Sequence, residues 1–224
     1  MIEDYSSELD YERSEVAVIL AAGHGKRIKS QRSKMLHTIW GIPTVERVYN
    51  ACNNNLISMN TVLVVGIKAP DVVEVFGKRE RVAFAYQAEQ KGTGHALQIG
   101  LDKISKEKFN GTVYVFPGDM GLINAETVIM FRDAFRNSKA DMMVLTGMYE
   151  GNVKHNNYGR IVRVKETDVS GLSSGADHNK VIEIIEHKDI LALKEDEQYI
   201  TEYNGRKYSY SRKELIENRE YNSG

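Results

Sequence analysis

The stretch VAVILAAGHGKRIKSQRSK, residues 16–34, decides the fold. It opens on a short apolar run, passes two glycines, Gly23 and Gly25, and ends in a string of cations: Lys26, Arg27, Lys29, Arg32 and Lys34. A continuous apolar run bounded by glycine reads as a strand of a parallel sheet covered by helices. Open sheets of that kind take ligands beyond the carboxyl ends of their strands. Glycines placed there let backbone N–H groups approach and wrap an anion. The segment therefore reads as a phosphate loop, with a basic, solvated loop offsetting the acidic first fifteen residues as the plainer alternative. It is not the dinucleotide fingerprint, because Ile28 stands at the third glycine position, and it lacks the GK[ST] ending of a Walker A loop.

Working outward, TVLVV (61–65), VAFAY (82–86), TVYVF (112–116) and DMMVLTGM (141–148) repeat the strand texture, each bounded by Gly, Asn or charged residues. Helical spacing falls between them. Val45, Val48, Tyr49, Cys52 and Leu56 share one helical face, Leu97, Leu101 and Ile104 another after His95, and residues 124–136 form a third helix. The alternation predicts an α/β fold, a Rossmann-like, mostly parallel sheet sandwiched by helices. After about residue 150, RIVRV (160–164) and KVIEII (180–185) read instead as antiparallel strands around the polar loop SGLSSGADHN (170–179), a smaller antiparallel part.

Composition narrows the function classes. The 224 residues are 42% hydrophobic and 27% charged, enough for one α/β domain with a real core. Thirty basic against thirty-one acidic side chains give a formal charge of -1, so no global field draws the chain to nucleic acid or an anionic membrane, and any anion site is local. One cysteine, Cys52, forms no intrachain disulfide and builds no thiolate metal cluster, which suits a reducing cytoplasm. Residues 1–15 carry six acids and one Arg, the opposite of a signal peptide, and read as a flexible extension or a capping arm. The longest apolar run, residues 16–22, is far short of the roughly 20 residues that span a bilayer. The expectation is a soluble, cytoplasmic domain whose state of homo-oligomerisation is open.

LAAG-x-G-x-R followed by S-x-x-x-K-x-L resembles the signature of sugar-phosphate nucleotidyltransferases. QAEQKGTGHAL (87–97), GDMGLI (118–123), YGRIVR (158–163), IIEHKD (184–189) and YNSG (221–224) occur in the order seen in one branch, the bacterial N-acetylglucosamine-1-phosphate uridylyltransferases. There this domain is the pyrophosphorylase half of a bifunctional enzyme. The resemblance covers Val16 to Gly224. It implies transfer of UMP from UTP to N-acetylglucosamine-1-phosphate, a Mg²⁺-dependent step supplying UDP-N-acetylglucosamine for peptidoglycan and lipopolysaccharide.

By that resemblance, Arg27 grips the departing pyrophosphate with its planar fork and Lys34 follows the α-phosphate as a point charge. The backbone of Leu20, Ala21, Ala22 and Gly23, with the Gln87 amide, reads the uracil edge, and Gly92 and Thr93 line the same pocket. Asp119 is the magnesium ligand, consistent with a cation that takes only one or two protein carboxylates. Gly118, Gly159, Glu186 and Asn222 hold the sugar phosphate. His95 reads as structural, because an anionic nucleophile needs no base.

Several residues depart from the family pattern: Lys26 replaces a usual Thr, Ser33 a Pro, Pro117 a Tyr and Gly121 a Pro, and residues 204–215 read as an insertion. The sequence given ends at Gly224, before the stretch that in relatives supplies a second metal-binding Asn and then a β-helix acetyltransferase domain. Two other readings accompany the uridylyltransferase: a related enzyme with another nucleotide or phosphate substrate, and a non-catalytic nucleotide-binding domain.

Overall fold

The computed structural model describes residues 1–23 and 33–222, which divide after Lys139 into two compact units. The first unit is built from α1 (Ile2–Tyr5), β1 (Glu15–Ala21), the small hairpin β2 (Thr38–Ile39) and β3 (Ile42–Pro43), α2 (Thr44–Cys52), β4 (Asn60–Val65), α3 (Ala69–Phe76), β5 (Val82–Tyr86), α4 (Thr93–Leu101), β6 (Thr112–Pro117) and α5 (Ala125–Asn137). Its four-stranded sheet runs β5-β4-β1-β6, every pair parallel. The chain steps outward from β1 to β4 and β5, then returns to the other side of β1 as β6. The strand order thus reverses between β1 and β6, the position at which open sheets of this class leave a ligand crevice.

Why β1 occupies the centre is evident from its residues. Ala17, Ile19 and Ala21 enter one core with the inner faces of α2 and α3 and Val128 of α5, while Val16, Val18 and Leu20 enter a second core with Ala96 of α4 and Ile104. Only a strand apolar on both faces can serve two helix layers at once. Gly100 permits the close approach of α4, since a Cβ there would lie 2.8 Å from Val18 and 2.9 Å from Val64. Residues 2–7 lie along the sheet's β5 edge, where the Ser7 N–H donates to the Val82 carbonyl and the Phe84 N–H to Ser6 Oγ; the chain then crosses the amino ends of β4 and β6, the Asp10 N–H donating to Asn60 Oδ1 and the Thr112 N–H to Ser14 O. Residues 2–7 cover backbone groups that an edge strand would otherwise present to other chains.

One local expectation needs correction, and one helix carried no expectation. The face that included Leu56 ends earlier, because α2 stops at Cys52 and Asn54 Oδ1 accepts from the N–H groups of Leu56 and Ile57, turning the chain. Leu56 is 74% exposed and Ile57 takes the buried position. Helix α3 was not legible as a helix; its first turn holds Pro70, which suits an N-terminal position whose N–H has no intrahelical partner.

The second unit contains β7 (Thr146–Met148), β8 (Arg160–Arg163), β9 (Val181–Ile185), α6 (His187–Ala192), β10 (Gln198–Tyr203), β11 (Arg206–Ser211), α7 (Arg212–Glu217) and β12 (Glu220–Asn222). Its four-stranded sheet runs β7-β12-β8-β9, all antiparallel, and β10 pairs with β11 in a separate hairpin. Residues 141–148, expected as one strand of the parallel sheet, supply only β7, and that strand pairs with β12. Met142 is solvent-exposed and Met143, Val144 and Leu145 are only half-buried, so the apolar half of that run enters no core. The segment read as an insertion is β11 and the start of α7. Asn204 and Gly205 turn the hairpin with φ of 50° and 74°, and Ser211 and Glu214 form a reciprocal capping box that starts α7.

Candidate active site

In the first unit the expected residues converge at the carboxyl edge of the sheet. The ladder continues past the strand ends, with the Gly118 N–H donating to Leu20 O at 2.9 Å and the Gln87 N–H to Val65 O at 2.8 Å. Lys34 begins a 3-10 turn over Lys34–Leu36. Met35 and Leu36 are buried in the core beneath it, and the Thr44 hydroxyl donates to the Met35 carbonyl at 3.1 Å. So anchored, the Lys34 side chain lies across Gly23, where a Cβ would stand 3.1 Å from its Cε, and its ammonium meets Asp119 Oδ2 at 2.5 Å. A lysine ammonium, an aspartate and the Ala21–Gly23 backbone are therefore gathered at the β1/β6 reversal. Gly118 is tightly confined: a Cβ would sit 3.0 Å from Met35 Sδ and 3.1 Å from Leu20 O.

Asp119 suits a cation. Its side chain is 44% exposed and Oδ2 already faces a positive charge. Among the described residues no three His, Cys, Asp or Glu side chains gather into a metal cluster. A divalent ion on Asp119 would draw other ligands from outside the described residues, water and phosphate oxygens among them, the habit of Mg²⁺. Arg27 and the neighbouring Lys26, Lys29 and Arg32 lie outside the described residues.

Gln87 is almost fully buried, 3% exposed, and its amide is oriented by two partners. Its Nε2 donates to the Gly92 carbonyl at 3.2 Å and lies 3.1 Å from His95 Nδ1. Those two contacts occupy the amide nitrogen, so the carbonyl oxygen is the part of the amide that remains to accept a further hydrogen bond, and Gly92 and His95 fix its orientation. Gly92, at φ 97°, starts α4 in a conformation that favours glycine, with Thr93 exposed as the first helical residue. Gln90, not singled out by sequence reasoning, donates to the Ala22 carbonyl at 2.7 Å and ties the 87–93 loop to the end of β1. Gly66 was also missed: a Cβ on it would come 2.6 Å from Ala22 O, so only glycine admits this packing of the β4 end.

The second unit brings together Gly159, Glu186 and Asn222. The Asn222 N–H donates to Gly159 O at 3.2 Å, and a Cβ on Gly159 would lie 3.0 Å from Asn222 Oδ1 and 3.4 Å from Ile185 O. Glu186 follows Ile185 directly and is exposed at the start of α6, where its carbonyl accepts from the Asp189 and Ile190 N–H groups. Behind them Arg163 grips both oxygens of Glu220 at 2.6 and 2.7 Å, and Thr146 Oγ1 donates to the same carboxylate. The guanidinium and these hydrogen bonds hold the Glu220 carboxyl below its ordinary range.

Residues 17–158 match the family model of the MobA-like NTP transferase domain. The chain belongs to that family. Among curated proteins, this MobA-like domain is similar to bifunctional protein GlmU of Acetivibrio thermocellus, 39% identical over 202 residues, which is 90% of this chain and 39% of that protein. It is 34% identical over 201 residues to GlmU of Bacillus licheniformis, again spanning 39% of the relative's length. A putative glucose-1-phosphate thymidylyltransferase from Bacillus anthracis, solved with a sucrose, shares the Rossmann-like fold at TM-score 0.51 and 20% identity, over 77% of this chain and 64% of that one. Among the described residues of this NTP transferase domain, no helix is long and apolar enough to cross a membrane. Cys52 is buried in the first core, and burial pushes its thiol well above the ordinary range, which leaves it a packing residue.

Proposed function

We propose that this chain transfers UMP from UTP to N-acetylglucosamine-1-phosphate, giving UDP-N-acetylglucosamine and pyrophosphate. The observation that carries the reading is the Lys34 ammonium held against Asp119 beside Gly23, at the reversal between β1 and β6. A phosphate oxygen of the sugar attacks the α-phosphorus of UTP. The bond to the oxygen bridging toward the β-phosphate breaks, and pyrophosphate leaves with the electron pair. The attacking oxygen is anionic near neutral pH, so the protein's task is alignment and charge neutralisation, not proton removal.

Lys34 is the cation that follows charge from the α-phosphate into the transition state, and Arg27 the one assigned to pyrophosphate. Asp119 would hold Mg²⁺, which when bound neutralises phosphate charge and aligns the triphosphate. The Gln87 carbonyl, turned by His95 and Gly92, accepts from the uracil N3–H, with the Ala21–Gly23 backbone against the base. Gly159, Glu186 and Asn222 take the sugar phosphate. A second reading comes from the same amide: a carbonyl that accepts from uracil N3–H would also accept from the cytosine amino group, so CTP is the competing nucleotide.

The test is pyrophosphate release by the purified chain with Mg²⁺, N-acetylglucosamine-1-phosphate and each nucleoside triphosphate in turn, beside an EDTA control. Release confined to UTP and abolished by EDTA is the expected result. Release with CTP instead reassigns the base. UTP binding without any release makes these 224 residues a nucleotide binder on their own, and the same assay on a chain extended to its relatives' length then decides the transferase reading.

A further inference from the structure

Arg160 is the largest fully buried side chain of the described residues, at 0% exposure, and no ion pair to it is found among them. Its guanidinium instead donates to two backbone carbonyls of one short turn, to Asn156 O at 2.7 Å and to Tyr158 O. Asn156, also fully buried, closes the same turn from within by accepting the Tyr158 N–H on Oδ1 at 3.1 Å. The turn delivers Gly159, whose carbonyl accepts from Asn222, and strand register places Arg160 opposite Ile185, the residue before Glu186.

Burying a guanidinium without a counter-ion is costly, and an unbranched apolar side chain of similar length would fill the space without that cost. What such a side chain cannot do is hold two carbonyls at a fixed separation, which the rigid fork of arginine does. Arg160 Nε, Asn156 Nδ2 and His187 Nδ1 are buried without hydrogen-bond partners among the described residues. Arg160 lies near enough to His187 for its charge to disfavour a protonated imidazole, in the same direction as burial. The fixed positive charge is therefore not diluted by an acid, and it sits one residue from Gly159.

We infer that Arg160 is a positioning residue: its buried fork clamps the 156–159 turn so that Gly159, Asn222 and Glu186 are set to receive a sugar bearing an anionic group. The inference rests on the reading of these three residues as the sugar-phosphate site. Tyr158, exposed and stacked on Tyr221 with ring centroids 4.7 Å apart, is carried by the same turn and moves with it.

The test uses the full chain with Arg160→Met, which keeps length and loses fork and charge, and Arg160→Lys, which keeps the charge alone. Arg160→Met should raise the KM for N-acetylglucosamine-1-phosphate at least about tenfold, leave the KM for UTP within about twofold, and speed amide exchange at residues 157–159 while residues 161–163 stay protected. Arg160→Lys should recover part of the KM change but not the exchange protection, and it carries the test if the Met variant does not fold. Equal changes in both KM values, or unaltered exchange at 157–159, would overturn the clamp. Faster exchange in the variants, with no turnover of sugar phosphate by the wild type, would keep the clamp and remove the sugar reading.

Discussion

The two units bring polar groups to strand ends by different means. In the first, the sheet is parallel with its central strands buried on both faces, and its candidate site is made largely of backbone: Ala21 to Gly23, Gly66 and Gly118 at close approach and Gly92 at a positive φ, with a lysine and an aspartate placed on that frame. In the second, the sheet is antiparallel and half-exposed, and side-chain networks hold it: Arg163 with Glu220 and Thr146, Arg160 with the 156–159 turn, and the Tyr210 hydroxyl with the Arg163 carbonyl. A parallel sheet covered by helices can spend its strand ends on loops because its packing is settled by apolar contact. A small antiparallel sheet has less core, so polar cross-ties share the work. Mutations should therefore act through backbone space in one unit and through charge and hydrogen bonding in the other.

The largest effect should come from Lys34→Ala. It leaves the frame intact and removes the cation, so turnover should fall about 100- to 1000-fold while UTP affinity changes little, measured by steady-state kinetics beside calorimetry. An equal loss in both would make Lys34 a ground-state binder. In the second unit, Glu220→Gln removes the charge that ties β12 to β7 and β8 and should cost about 1.5–3 kcal/mol in urea unfolding. Because the hydrogen bonds from Arg163 hold the folded Glu220 carboxyl below the ordinary glutamate range, its contribution is present above that range and is lost as pH falls through the lower, folded value. The variant should lose that part of the wild type's acid sensitivity; an unchanged acid limb would contradict the assignment.

Gly66→Ala should cost about 1–3 kcal/mol through the clash with the Ala22 carbonyl and should weaken UTP binding by displacing that turn. A stable variant with unchanged UTP affinity would break the claim that backbone space governs the first unit. His95→Ala should relax the preference for UTP over CTP with a smaller change in rate, since it releases the Gln87 amide; an unchanged preference would mean that His95 does not set base choice. Smallest of all, Leu56→Ser should stay within about 0.5 kcal/mol of wild type, because that side chain lies outside the helix and the core.

The same contrast explains what could be read from the sequence. Strands β1, β4 and β5 were legible because burial on both faces leaves an uninterrupted apolar run, and β6 because TVYVF keeps the same texture although Val115 on its outer face is exposed. The candidate residues near their carboxyl ends, Lys34, Gln87, Gly92, Gly118 and Asp119, were legible as positions of the motifs that carry the family resemblance. Gln90 and Gly66 were not, since one acts through a single bond to a distant carbonyl and the other through the absence of a Cβ against Ala22, and neither leaves a local pattern. In the second unit the hydrophobic signal is diluted. β10 alternates exposed and half-buried residues, and the core there is finished by Tyr208 and Tyr210, so β10 was not read as a strand and β11 was seen only as part of an insertion. Residues 141–145 misled for the opposite reason, an apolar run that buries little.

The most direct test of this division is amide exchange of the full chain, first with Mg²⁺ and UTP and then with N-acetylglucosamine-1-phosphate. The account predicts that UTP slows exchange at residues 20–23, 87–94 and 118–119, and that the sugar phosphate slows it at 157–160, 186–187 and 222. Protection by UTP centred on the second unit, or sugar-phosphate protection absent from it, would contradict the assignment of nucleotide to the parallel sheet and sugar to the antiparallel one.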